Sequence, residues 1–84
     1  MIERKYIQEE NKKLRRLQLM IDLTVQLLYQ TADLTLEEGI SYIQNARIFA
    51  LSMFPDKGDV FDLIYKPRML RVLNERGVLK VSRN

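Results

Sequence analysis

The chain has 84 residues, 46% of them hydrophobic and 30% charged, with a net charge of +3 and no Cys, His or Trp. Without Cys and His it has no disulfides, no thiolate nucleophile, no zinc-finger or iron–sulfur site and no imidazole base, so we expect neither an enzyme nor a bound metal or cofactor. The length predicts one domain, residues 1–84, with a core small enough to favour completion by a partner subunit.

Composition also bears on the compartment. The absence of Cys fits a reducing cytoplasm. The first sixteen residues carry nine charges, which argues against a signal peptide. The apolar run over 14–29 is interrupted by Arg15, Arg16 and Asp22, which argues against a membrane span. The sequence therefore predicts a cytoplasmic protein without a membrane partner.

The first predicted helix covers residues 2–30, which contain no Gly or Pro. Large apolar residues recur in it at intervals of seven, at Ile7, Leu14, Ile21 and Leu28, a spacing typical of a helix with coiled-coil character. Such a helix is about 44 Å long, whereas a compact domain of this size is roughly 30 Å across. We therefore expect residues 1–13 to overhang the domain as an arm.

An overhanging helix needs a surface to cover it, and a second copy of the chain supplies one. Between Leu14 and Tyr29 the apolar residues cover most of the helix circumference, which predicts a helix nearly surrounded by protein. The sequence thus predicts a homodimer formed through this helix. The predicted interface residues are Tyr6, Ile7, Leu14, Leu17, Ile21 and Leu28.

Residues 31–34 are predicted to connect the first helix to a second one. Thr35 and Glu38 have the spacing of a capping box at the start of that helix, and Phe54, which precedes Pro55, is expected to end it. Gly39 lies inside the helix, where it costs about 1 kcal/mol of helix propensity. We expect it to allow close packing against another helix.

The last third of the chain contains a predicted turn at residues 55–58 and a short helix capped by Asp59. Pro67 either kinks this helix or begins another. Gly77 is expected to end the last helix in a left-handed conformation, with Val78 packing back on the helix. Residues 78–84 are expected to form an extended tail or an edge strand that pairs across the dimer.

The predicted set of core and interface residues combines apolar positions from all these helices. Its members are Leu14, Leu17, Ile21, Leu28, Ile43, Phe49, Leu51, Phe54, Leu63, Leu70 and Leu73. The densest acidic group, Asp56, Asp59 and Asp62, lacks the alternating acidic positions and closing Glu of a calcium-binding loop. A capping and turn role accounts for it more simply than a metal site.

Charge is uneven along the chain, because residues 1–16 and 66–84 are basic and residues 17–65 are acidic. The simpler interpretation is a set of solvated helix faces whose opposite charges attract within the fold or between subunits. The alternative is a small nucleic-acid-binding regulator that touches phosphate with both basic ends. The candidate nucleic-acid contacts are Lys12, Lys13, Arg15, Arg16, Arg68 and Arg71.

Taken together, the sequence predicts an all-α domain of three to four helices with a long N-terminal helix, completed by dimerisation. The function predicted for it is a non-catalytic protein–protein interaction module, homodimeric and able to bind a larger protein. The run from Phe61 to Arg68 is similar to short helical domains of bacterial type, but it indicates no family and implies no function.

Overall fold

A computed structural model describes the backbone of residues 2–79 and the side chains of residues 8–79. This part of the chain is helical and contains no strand, which confirms the all-α prediction. Three helices pack together into an elongated body of 56 × 26 × 16 Å.

Helix α1 spans Ile2–Gln30 and helix α2 spans Leu36–Met53. The third helix is continuous but not uniform. It begins with the short α-helical turn α3 (Gly58–Val60), continues through a π-helical segment (Phe61–Tyr65) and ends as helix α4 (Lys66–Glu75). Helices α2 and α4 both pack on α1 and also touch each other.

The start and end of α2 follow from local hydrogen bonds. The hydroxyl of Thr35 accepts from the backbone N–H of Glu38 at 3.1 Å, and the carboxylate of Glu38 accepts from the backbone N–H of Thr35 at 3.0 Å, which confirms the capping box. Phe54 is the C-cap, immediately before Pro55 as predicted. In the loop before α2, Asp33 has a φ of 50°, a conformation that Asp tolerates better than most residues.

The start of the third helix corrects one prediction. Asp59 lies within the first turn, and the N-cap is Lys57, which makes no side-chain capping hydrogen bond. The helix also passes through Pro67 without a break, because the turn before it is widened. The N–H of Lys66 donates to the carbonyl of Phe61, five residues back, and this wider turn relieves the clash of a proline ring with the carbonyl four residues earlier.

Gly77 ends α4 with a φ of 72°. The N–H of Gly77 donates to the carbonyl of Asn74 at 3.0 Å, and the N–H of Val78 donates to the carbonyl of Leu73 at 2.9 Å. These two bonds are the Schellman arrangement that was predicted. Val78 and Leu79 then pack on the core, and the rest of the predicted tail lies outside the described residues.

The core forms where the three helices meet. Gly39 of α2 allows the closest approach, since a Cβ atom there would lie 2.6 Å from a methyl group of Leu73. This contact confirms the packing role predicted for Gly39. The buried apolar residues are Leu17, Ile21, Leu28, Leu34, Ile43, Ala46, Ala50, Phe61, Met69, Val72 and Leu73.

Two members of the predicted set of core and interface residues lie at the surface of the single chain. Leu14 is 47% exposed and Leu63 is 77% exposed. The π-helical segment explains Leu63, because its extra residue shifts the helical register so that Phe61 faces the core and Leu63 faces outward. Phe49 and Leu51 are only half-buried.

Arg76 joins the last helix to the end of the first. Its guanidinium donates from Nη1 to the carbonyl of Leu28 at 2.8 Å and to the carbonyl of Thr31 at 2.7 Å. The last carbonyls of a helix have no partner within the helix and carry partial negative charge. Arg76 therefore caps the C-terminus of α1 from a position 48 residues away along the chain.

Candidate interaction surfaces

The face of α1 that points away from the core carries three leucines. Leu19, Leu23 and Leu27 are 57%, 55% and 47% exposed. A spacing of four residues turns a helix by about 40° from one leucine to the next, so the three form a continuous row. We call this row the leucine stripe.

The stripe is uncovered because both neighbouring helices pack on the opposite side of α1. Leu23 lies two residues beyond the buried Ile21, which is about 200° of rotation around the helix. The buried face of α1 also includes Thr24, whose hydroxyl donates to the carbonyl of Met20 at 2.8 Å. Within one chain, α1 is therefore half covered, and the prediction of a helix nearly surrounded by protein is wrong for a single chain.

Charged and polar residues lie at the two ends of the stripe. Arg16 and Lys12 precede Leu23 by seven and eleven residues, so both lie within about 20° of it around the helix. Both are exposed, as are Gln30 and Asp33 at the other end. The stripe is therefore basic at its N-terminal end and polar to acidic at its C-terminal end.

A second apolar surface is a groove of about 260 Å³ between the three helices. Its rim carries one acid, Glu10, and one base, Lys57. The apolar lining residues are Leu14, Leu17, Ala50, Phe54, Val60, Phe61 and Tyr65. Beside Val60, the π-helical segment presents Leu63 and Ile64 to solvent.

The structure divides the predicted interface residues into three groups. Leu17, Ile21 and Leu28 are buried in the core of their own chain, which fits the core role also predicted for them. Leu14 is exposed and lines the groove. The side chains of Tyr6 and Ile7 lie outside the described residues.

The residues of the leucine stripe were missing from the predicted interface. A signal for them was present in the sequence, namely three leucines spaced by four residues. The seven-residue repeat predicts a dimer seam, whereas the structure uses Ile21 and Leu28 of that repeat to pack α1 against α2 and α4. Leu19, Leu23 and Leu27 lie outside that repeat and remain exposed.

The candidate nucleic-acid contacts are not gathered on one face. Lys12, Lys13, Arg15 and Arg16 are spread over about 160° of the circumference of α1. Arg68 lies with a guanidinium nitrogen 3.7 Å from a carboxylate oxygen of Asp22. Arg71 is exposed on α4. Among the described residues, the basic side chains therefore form separate groups, one of which has an acid beside it.

The acidic group near the start of the third helix is tied to a base. Asp62 accepts from two nitrogens of Arg47, at 2.8 and 3.1 Å. These hydrogen bonds hold the pKa of Asp62 below its usual value, and the nearby charges of Arg47 and Lys66 add to the effect. Within residues 8–79, no three Asp or Glu side chains converge on a position where they could hold a metal ion.

Tyr29 links α1 to α4 on the exposed surface. Its hydroxyl donates to a carboxylate oxygen of Glu75 at 2.7 Å. This hydrogen bond raises the pKa of Tyr29, because ionisation of the hydroxyl would remove the bond and place two negative charges together. The contact positions the two helices and leaves the leucine stripe free.

None of the helices described here has an apolar stretch long enough to cross a membrane. Comparison with protein-family models, with curated proteins and with solved structures finds no match to this chain. Function is therefore inferred from the surfaces described above.

Proposed function

We propose that this chain is a non-catalytic helical interaction module that forms a homodimer through α1. The leucine stripe is the observation that supports this proposal. Three leucines that are each about half exposed form one row on a helix whose opposite face already builds the core. Removing such a row from water is favourable by about 25 cal/mol per Å² of apolar surface, and contiguous exposed apolar surface on a folded protein is typical of an interaction site.

The alternative function, nucleic-acid binding, has weaker support. Lys12, Arg15 and Arg16 are exposed, but they project in different directions and an acid lies beside Arg68. A phosphate-tracking surface needs its cations on one face. Binding to duplex or single-stranded nucleic acid that weakens steeply between about 50 and 200 mM salt would favour this alternative over the proposal.

The test of the proposal compares two variants by light scattering on a sizing column. The stripe variant replaces Leu19, Leu23 and Leu27 by Gln, which is polar and favours helix. The matched control replaces Leu63 and Ile64 by Gln, which removes exposed apolar surface of the same kind from the third helix. Circular dichroism reports whether each variant keeps its helices.

We expect the wild type and the control to have a mass near twice 10.0 kDa, and the stripe variant to have the mass of one chain with its helices retained. The fold should survive, because the three leucines do not belong to the core. A monomeric wild type, or a control that dissociates while the stripe variant stays dimeric, would contradict the proposal.

A further inference from the structure

We infer that the two α1 helices of the proposed dimer pair antiparallel, with Leu23 of one chain against Leu23 of the other. This inference rests on the proposed function, because it concerns the orientation of the same surface. The antiparallel arrangement specifies which residue of the second chain each leucine of the stripe contacts. Dimerisation through α1 does not by itself specify these pairs.

The geometry of the stripe fits a twofold axis through its middle residue. Leu19 and Leu27 each lie four residues, or about 6 Å along the helix, from Leu23. A twofold axis perpendicular to α1 at Leu23 places Leu19 of each chain beside Leu27 of the other chain. Both chains then use the same patch, as the closed symmetry of most homodimers requires.

Charge decides between the antiparallel and the parallel arrangement. In a parallel pair, Arg16 of one chain would face Arg16 of the other, and Lys12 would face Lys12. In the antiparallel pair, Arg16 faces Gln30, and Lys12 reaches the region of Asp33. Like charges placed together cost free energy in the first arrangement, whereas the second one replaces them by complementary groups.

The charge difference extends beyond the stripe itself. Residues 8–16 contain four basic and two acidic side chains, whereas residues 26–38 contain three acidic side chains and no basic one. Antiparallel pairing brings the basic segment of each chain toward the acidic segment of its partner. Because α2 and the third helix pack on the opposite face of α1, the described part of each chain leaves this approach open.

The chain contains no Cys, so single introduced cysteines report the arrangement without background. Three variants are needed, L19C, L23C and L27C, oxidised mildly as the full chain and separated under denaturing, non-reducing conditions. A disulfide requires Cα atoms within about 7 Å of each other. In the antiparallel pair, two copies of residue 19 are offset by eight residues, which is about 12 Å along the axis.

We expect L23C to form disulfide-linked dimers without a second variant present. L19C and L27C should each remain largely uncrosslinked when oxidised separately. When the two variants are combined, they should give a mixed dimer, which nitrogen-15 labelling of one variant identifies by mass. Self-crosslinking of L19C and of L27C without the mixed product would show a parallel pair and overturn the inference. A monomeric mass with no crosslink at any position would instead overturn the proposed dimer itself.

A second pair of variants keeps all three leucines in place. R16C mixed with Q30C, treated with a short bismaleimide, should give the mixed dimer, because these positions face each other only in the antiparallel arrangement. Both positions are exposed, so the substitutions leave the core intact. A dimeric mixture that yields only R16C–R16C and Q30C–Q30C products would again overturn the inference.

Discussion

Asp62 is a titratable side chain that links two helices. It lies in the π-helical segment and accepts two hydrogen bonds from Arg47 of α2. Because Arg47 lowers the pKa of Asp62 in the folded chain, the ion pair stabilises the fold above the pKa of Asp in the unfolded chain, about 3.9. The stabilisation is lost as the pH falls through the lower pKa of the folded state.

We expect Asp62→Asn to lower the free energy of unfolding at neutral pH and to have a progressively smaller effect below about pH 4. The reason is that the wild-type carboxylate is then protonated as well. Urea unfolding of both chains at a series of pH values measures this difference. The ion pair is partly exposed, so the effect at neutral pH is small.

The control for this prediction is the same substitution in a chain that carries Arg47→Met. Without the guanidinium, the main cause of the lowered pKa is gone. Asp62→Asn should then lose most of its pH dependence. An equal pH dependence in both backgrounds would mean that Arg47 does not set the pKa of Asp62.

At the scale of elements, the end of α1 depends on a residue from the other end of the chain. Arg76 donates to the carbonyls of Leu28 and Thr31, and it is half-buried. Hydrogen bonds from a charged donor contribute about 1.5 to 3 kcal/mol each in net terms, and a cation at a helix C-terminus adds a favourable interaction with the dipole.

We expect Arg76→Gln to lower the free energy of unfolding by about 2 kcal/mol, measured by urea unfolding at one fixed protein concentration. Arg71→Gln is the matched control, because Arg71 is an exposed arginine on the same helix. It should change stability by no more than about 0.5 kcal/mol. Equal effects of the two substitutions would contradict a capping role for Arg76.

The same helices show which features the sequence can predict. Thr35, Glu38 and Gly77 form bonds within a few residues of themselves, so spacing alone was sufficient to predict them. The register of the third helix was not predictable in this way. Its π-helical turn places Phe61 rather than Leu63 in the core, and the helical spacing used for the prediction does not account for the extra residue of such a turn.

The site was harder to predict than the fold, because the packing of the whole chain determines which leucines stay exposed. Leu19 and Leu23 are indistinguishable by type from Leu17 and Leu28. Only the positions of α2 and α4 decide which of these leucines are covered. The sequence therefore predicts an apolar helix, but it does not show which of its leucines the rest of the chain covers.

For the whole molecule, the proposed dimer links stability to concentration. An elongated body only 16 Å thick along its shortest axis has little interior, so burial of the stripe would add appreciably to what each chain contributes alone. We expect the midpoint of thermal unfolding to rise by roughly 4 °C for each tenfold increase in chain concentration. Calorimetry or circular dichroism over two decades of concentration measures this.

The stripe variant is the control for this prediction as well. With Leu19, Leu23 and Leu27 replaced by Gln, the midpoint should be lower than that of the wild type and should not depend on concentration. A wild-type unfolding midpoint that stays constant over the same range of concentration would contradict the predicted coupling of dimerisation to stability.

The π-helical segment is a place where the deletion of a single residue would disrupt the packing of the third helix. Removing any one residue from Phe61–Tyr65 would restore a regular α-helix and turn everything before the deletion by about 100° relative to α4. Phe61 would leave the core and Asp62 would leave Arg47, although every other side chain stayed the same. The number of residues in this segment therefore fixes the rotation of the start of the third helix relative to α4.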